Sequence, residues 1–168
     1  MEDINPDPRC PIEAMLELVG DRWSLLILRN AFYGVRRFDG FQQHLNISKK
    51  TLTIRLRRLT EAGIFNRIAY QQRPERFEYV LSAKGQDLFP MMVSMTRWGT
   101  RWLAEPGQEW LLLQHKGCGE ITEGKLVCSH CGEILTPARV TVVPGPGAST
   151  KDTQKLDRAI RKSSAAIK

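Results

Sequence analysis

Residues 46–81 constrain this chain more than any other stretch: N-I-S-K-K-T-L-T-I-R-L-R-R-L-T-E-A-G-I-F, a short arginine-rich bridge, then R-F-E-Y-V-L. Ser48 is suited to cap a helix, because its hydroxyl can accept from an orphan amide of the first turn, and Gly63 stands where a left-handed residue would end one. The spacing predicts a helix over roughly 49–62. At about 100° per residue, Leu52, Leu56 and Leu59 share one stripe, fit for a core. Lys50, Thr53, Ile54 and Arg57 point the other way, Lys49 and Thr51 lie in the first turn, and Arg58 is on the flank. Glu61 is the one acid in the helix.

A basic helix of this kind suits the major groove of B-DNA, which admits one α-helix and lets flanking cations neutralise phosphates. Thr53 can read a base or a phosphate, Arg57 can donate bidentately to guanine, and Ile54 can touch a thymine methyl. Ser48, Lys49, Lys50, Thr51, Thr53, Ile54, Arg57 and Arg58 are therefore the candidate DNA-contacting residues. A solvated basic face with no partner is the plainer reading of the helix alone.

The segment after the helix favours DNA. Residues 64–70 and 76–81 are β-rich, with Phe77, Tyr79 and Leu81 alternating with Arg76, Glu78 and Val80, and Gln71-Gln72-Arg73-Pro74-Glu75 reads as the turn between them. A basic helix followed by a hairpin is the layout of a winged helix. Arg67, Arg73 and Arg76 would sit near the wing tip, where guanidiniums suit phosphates or a narrow minor groove.

The formal charge of +7 is focused on this stretch. Residues 36–80 carry ten Lys or Arg against four Asp or Glu, whereas residues 1–35 carry three against six. Such a patch is the electrostatic footprint of a nucleic-acid partner and predicts strongly salt-dependent binding. A membrane surface is disfavoured as the partner: no helix pairs a basic face with a broad apolar one, and no run is long enough to span a bilayer.

A chain of 168 residues buries one good core and a small appendage. The start, M-E-D-I-N-P, has neither a basic n-region nor an apolar h-region, so no signal peptide and a cytoplasmic setting are expected. Four cysteines in a reducing compartment need a reading other than a disulfide framework.

Upstream, residues 12–19 form a short apolar helix stopped by Gly20. Asp21 caps a second helix, R-W-S-L-L-I-L-R-N-A-F-Y, ending at Gly34, and a third around 38–45 completes a helix-turn-helix with the Ser48 helix. Past the wing, Ser82 is expected to cap one long helix to about Leu103, kinked at Pro90. Its stripe of Leu88, Met91, Met95, Trp98 and Trp102 is too apolar for a surface helix on so small a domain. Part of it must pack on the core, and the remainder, with the first helix, is expected to form a homodimer interface.

G-D-R-W-S-L-L-I-L-R at 20–29, R-F-D-G-F at 37–41, I-S-K-K-T-L-T-I-R-L at 47–56, E-A-G-I at 61–64, F-E-Y-V-L-S-A-K-G, and Trp98-Gly99 together resemble the HxlR family of bacterial winged helix-turn-helix regulators, related to the MarR proteins. The resemblance covers residues 10 to about 103. It implies operator DNA as partner, a dimer formed largely by terminal helices, and control of gene expression. Gly40, where a helix-favouring residue would be more comfortable, is a departure from the pattern. The family commonly has a cysteine at the place of Cys10, and in some members it senses oxidants. Arg9 and a helix N-terminus beside it would both favour the reactive thiolate; the alternative is a small residue partly buried at a dimer interface.

A second constellation lies further on. His115-Lys-Gly-Cys118-Gly and Cys128-Ser-His-Cys131-Gly are two knuckles, each with two residues between candidate ligands and a glycine after the second, separated by nine residues. That spacing suits a zinc ribbon, whose tight turns bring backbone amides to thiolate sulfur and whose four N or S donors close a structural tetrahedral site. His115, Cys118, Cys128 and Cys131 are the candidate set, with His130 a substitute for His115. A metal-free ribbon and thiol redox chemistry at Cys128 and Cys131 are the rivals; the latter lacks the βαβ setting it wants.

The expected architecture is thus mainly α with a small β-hairpin wing, over residues 1–104. A small β zinc-ribbon-like module follows at 105–143, and a basic flexible tail, introduced by Pro144-Gly-Pro-Gly, at 144–168. The expected function is a homodimeric, sequence-specific regulator of transcription, with a non-specific or architectural nucleic-acid binder as runner-up. No Ser-His-Asp arrangement has recognisable surroundings and no glycine loop follows a strand, so enzyme chemistry is not expected. The stacking aromatics of an RNA platform are missing.

Overall fold

A computed structural model describes residues 10–154, which fall into two compact units, one ending at Gly124 and the other beginning at Lys125. The first unit opens with α1 (Pro11–Val19) and α2 (Arg22–Phe32), separated by Gly20 and Asp21. Asp21 caps α2 as expected, its carboxylate accepting from the amides of Trp23 and Ser24 at 3.1 Å each. Helix α3 (Phe38–Leu45) ends on Asn46, which takes the left-handed conformation at φ 48°. Asparagine tolerates that conformation better than most side chains, and it lets the chain turn within three residues into α4 (Lys49–Glu61).

Helix α4 follows its sequence closely. Ser48 Oγ accepts from the Thr51 amide at 3.1 Å, and Gly63 closes the far end at φ +73°. Leu52, Leu56 and Leu59 are fully buried, joined by Ile27, Leu28 and Phe41 and, almost fully, by Val19, Ile47, Ile64 and Phe65 in one core. Each such side chain contributes about 1.5–3 kcal/mol by leaving water, so the leucine stripe fixes which face of α4 looks outward.

Strands β1 (Phe65–Gln72) and β2 (Glu75–Leu81) pair antiparallel, from Phe65 opposite Leu81 to Gln72 opposite Glu75. The register shifts between Ala69 and Gln71, a bulge at Tyr70. Arg37 bridges Glu78 as a third edge, with the Tyr79 amide donating to the Arg36 carbonyl at 2.8 Å. The hairpin is thereby tied to the entrance of α3.

The single long helix expected after the wing is two helices. Ser82 does cap a helix, but α5 (Ala83–Gln86) is one turn, and the chain restarts at α6 (Phe89–Leu103). Pro90 has no N–H to give the Gln86 carbonyl and its ring would collide there. In the first turn of a new helix, where that amide is not needed, it fits. Leu88 and Met92 reach the core, and no residue of α6 is fully buried. A short ladder of β3 (Leu113–Gln114) and β4 (Ile121–Thr122) completes the first unit.

Among its described residues the second unit has one bridge, Val127 to Ile134. Where a tail without regular structure is expected after Val143, residues 150–154 are helical, because Ser149 and Asp152 cap each other's amides. The rest of that tail, residues 155–168, lies outside the described residues.

Candidate nucleic-acid interface

The leucine stripe leaves Lys49, Lys50, Thr53, Ile54, Arg57 and Arg58 exposed on α4. Three polar candidates are occupied locally. Ser48 and Thr51 share a hydroxyl–hydroxyl contact of 2.9 Å inside the cap, so their first duty is to start the helix. Thr53 donates to the Lys49 carbonyl at 2.8 Å and keeps its oxygen lone pairs for an incoming donor. Arg57 lies 3.7 Å from Glu61 with both side chains mostly in solvent, a weak pair that a guanine or phosphate can outcompete. Arg58 is different, since its guanidinium donates to the Glu17 carbonyl at the end of α1. It anchors the helix as well as charging its flank.

Arg67, Arg73 and Arg76 are all exposed on the hairpin. The Arg67 guanidinium stacks over the Phe77 ring, 3.4 Å from its centroid, which limits its freedom before any partner arrives. Gln71 donates to the Arg73 carbonyl at 3.0 Å and so shapes the tip. The exposed cations of helix and hairpin are carried on one packed unit, an arrangement suited to one groove and its flanking backbone.

A family model described as HxlR-like helix-turn-helix matches residues 18–106. The chain belongs to that family. An uncharacterized HTH-type transcriptional regulator of Mycobacterium tuberculosis is 48% identical over 136 residues, 81% of this chain and 86% of that one. Among solved structures, PA1607, a protein assigned as a transcription factor, superposes with a TM-score of 0.73 at 31% identity, over 82% of this chain and 96% of that one. The redox regulator HypR in its oxidized form matches at 34% identity and TM-score 0.50, over 54% of this chain and 94% of its own. This HxlR-like protein is a DNA-binding transcriptional regulator, and no helix among its described residues is long and apolar enough to cross a membrane.

Sequence reasoning missed two arginines of the HxlR-like unit. Arg37 packs against Tyr70, 4.3 Å from the ring centroid, and pairs with Glu78 at 2.9 Å, so it fastens α3 to the wing while leaving a cation beside it. The charge count of residues 36–80 contained this signal but not its address. Arg55 sits on the inner flank of α4, its Nε 3.2 Å from Asp21 Oδ1. That nitrogen is buried and not aligned for a hydrogen bond, so the contact is an ion pair only. Burial alone would raise the Asp21 pKa; hydrogen bonds from the Ser24 side chain and amide, the Arg55 charge and the Trp23 amide together hold it below the ordinary carboxylate value. The cap of α2 and the recognition helix are thus joined through one carboxylate.

All four cysteines are free thiols. Cys10 is half-buried at the N-cap of α1, and its side chain caps no amide. In the first unit His115 Nδ1 lies 3.4 Å from Cys118 Sγ. In the second, the Cys128 thiol is held below its ordinary pKa by the backbone amides of Cys131 and His130 and by the Cys131 side chain. Among the described residues, no group of three or more His, Cys, Asp or Glu side chains is placed to hold a metal ion.

Proposed function

We propose that this HxlR-like regulator works as a homodimer that sets two copies of α4 in successive major grooves of an operator. Lys50, Thr53, Ile54 and Arg57 face base edges, and Arg67, Arg73 and Arg76 of the wing lie on flanking phosphates or in the minor groove. The observation that carries this reading is the outward cationic face of α4, fixed by the buried stripe of Leu52, Leu56 and Leu59 and flanked by the basic hairpin. Dimerisation is supported by large apolar side chains left in solvent on the two terminal helices. On α1, Ile12 and Leu16 are 65% and 52% exposed, and on α6, Trp98 and Trp102 are 59% and 65% exposed. Side chains of that size are normally covered by a partner. Two-fold symmetry then predicts half-sites about 34–36 Å apart, one helical turn of DNA.

Fluorescence anisotropy with the duplex upstream of the protein's own gene, against a scrambled duplex of equal length, tests the reading. The specific duplex is expected to bind at least about a thousandfold more tightly; equal affinity returns the protein to the non-specific class. Sedimentation of a Trp98→Glu variant tests the dimer, with a shift to monomer expected.

Thiol sensing by Cys10 is a second reading. It is favoured by the half-buried position of Cys10 at the start of α1, next to the exposed Ile12 and Leu16, and by the likeness to a redox regulator. Alkylation there is expected to alter the packing of α1 and lower operator affinity, with Cys10→Ser insensitive to the reagent. Equal loss of affinity in wild type and Cys10→Ser, or none in either, rejects it.

A further inference from the structure

The segment after α6 returns to that helix and encloses with it a cavity of about 540 Å³, all of it within the first unit. Cavities of roughly 300–1,000 Å³ are the size that holds a small organic ligand. One wall is helical, built from Thr96, Arg97, Thr100 and Arg101. The other is Leu111 and the β3–β4 ladder, through Leu113 and Ile121. Those three residues lie past residue 106, beyond the HxlR-like match.

The ladder is pinned to α6 at its end. Glu123 lies 3.5 Å from Arg97, and Gly124, at φ +67°, stands so near Val93 that a Cβ would collide with it. The wall is therefore preformed, which spares a ligand the cost of ordering it. The cavity also lies away from the apolar stripe of the same helix. At about 100° per residue, the cavity-lining positions of α6 centre roughly 150° round the helix from Trp98 and Trp102.

The uncommitted polar groups of the helical wall can all donate. Thr53, Thr60 and Thr153 give their hydroxyl protons to the carbonyl four residues earlier; among the described residues, Thr96 and Thr100 make no such bond. Arg101 rests its guanidinium 5.3 Å from the centroid of the Trp102 ring and pairs with no carboxylate among the described residues. The two acids of the lining are engaged, Glu109 accepting from the Gly107 amide at 3.2 Å and Glu123 pairing with Arg97. Donors without an acceptor, one of them permanently charged, call for an anion. The remaining wall is aliphatic, and no aromatic side chain among the described residues lines it.

We propose that this cavity binds a small aliphatic carboxylate. Arg101 and the hydroxyls of Thr96 and Thr100 take the carboxylate, and Leu111, Leu113 and Ile121 take the hydrocarbon chain. Arg97, one turn before Arg101 and in an exposed pair, adds positive potential beside it. Hydrogen bonds to an ionised group are about twice as strong as neutral ones, so the acid is selected over the alcohol of the same chain length. An amine of that length brings a like charge to Arg101. The proposal is independent of the operator reading, since no DNA contact enters it.

The test is isothermal titration of the full-length protein, without DNA and at neutral pH, with octanoate, octanol and octylamine, which carry a negative, no and a positive charge on one chain. Octanoate is expected to bind at least about tenfold more tightly than either of the others. Arg101→Gln is expected to weaken octanoate by about tenfold and to leave octanol unchanged. Ile121→Asp, which puts a charge on the wall that holds the chain, is expected to weaken both. Far-ultraviolet circular dichroism checks that both variants keep the helical unit. Absence of octanoate binding at millimolar concentration overturns the proposal. So does octanol or octylamine binding as tightly as octanoate, which would make the cavity a neutral or a cation site. Octanoate binding that Arg101→Gln or Ile121→Asp leaves unchanged overturns it too, because the acid then sits elsewhere. Failure of the operator reading leaves these titrations untouched.

Discussion

The winged helix and the knuckle segment are both rich in small sequence signals, and they hold themselves together in opposite ways. In α4 every outward residue is placed by an inward one, because Leu52, Leu56 and Leu59 have no exposure and cannot rotate out of the core without losing it. Among the described residues from Lys125 onward none is buried, and the order of the Cys128 turn rests on backbone hydrogen bonds and the left-handed conformation of Gly132. A surface held by a core tolerates substitution on its working face. A surface held by a few donors does not tolerate loss of those donors.

The largest expected effect breaks the comparison at its root. Leu56→Ala should destabilise the first unit by about 2–5 kcal/mol, the range for emptying a buried leucine site. Val142→Ala, which trims an exposed side chain of the second unit, should change global stability by no more than about 0.5 kcal/mol. Urea unfolding followed by circular dichroism measures both. Similar losses for the two would mean that the knuckle segment contributes a core after all.

On the DNA-reading face, Arg57→Ala should weaken operator binding by about 1–3 kcal/mol, roughly tenfold or more, and relax the preference at one base pair. Its pairing with Glu61 is too exposed for stability to follow. A selection on randomised duplexes reads the preference directly; an unchanged preference together with a uniform loss of affinity would move Arg57 from base to phosphate.

Legibility in the sequence divides along the same line. Cap residues and the leucine stripe give α4, α2 and the hairpin nearly to the residue, because each is dictated by contacts a few positions apart. The break before α6 is legible only as a kink, since Pro90 announces a disturbance without saying that a helix is short enough to restart. Arg37 and Arg55 are not legible as positioning residues: their partners, Tyr70, Glu78 and Asp21, lie 33 to 41 positions away, and no local pattern reports a pairing across that separation. In the knuckles the spacing of His115, Cys118, Cys128 and Cys131 is legible while the surroundings are not, since a segment without a core has no periodicity to read.

The link between Asp21 and Arg55 is a middle case, a core-side ion pair with each side chain about a quarter exposed. Asp21→Asn keeps a capping oxygen and removes the charge, so the expected loss is about 1 kcal/mol, discounted for partial solvation. Its pH dependence has a fixed sign. The Asp21 pKa is lowered in the folded chain, so the wild type's advantage is fully present above the unfolded carboxylate value of about 3.9 and is lost as pH falls through the folded value. Urea titrations at pH 7 and at successively lower pH should show the two proteins converging. A constant gap across that range would mean that the cap, and not the charge, joins α2 to α4.

The smallest effect separates two kinds of arginine on the same unit. Arg73 stands at the wing tip, exposed and held only through its backbone carbonyl by Gln71. A cation with that freedom follows a phosphate and has no means of fixing the planar geometry that a base edge demands. Arg73→Ala should therefore lower affinity a few-fold for specific and scrambled duplexes alike. It should also reduce the slope of log K against log salt by about 1, the counterion released by one phosphate contact. Arg57 is expected to do the reverse, with a large change in preference and a small change in slope. If Arg73→Ala alters preference at a position outside the α4 footprint, the wing reads minor-groove width and belongs with the base-reading face. If it leaves the slope unchanged, the tip does not reach the DNA, and the hairpin serves chiefly to hold Arg37 beside α3.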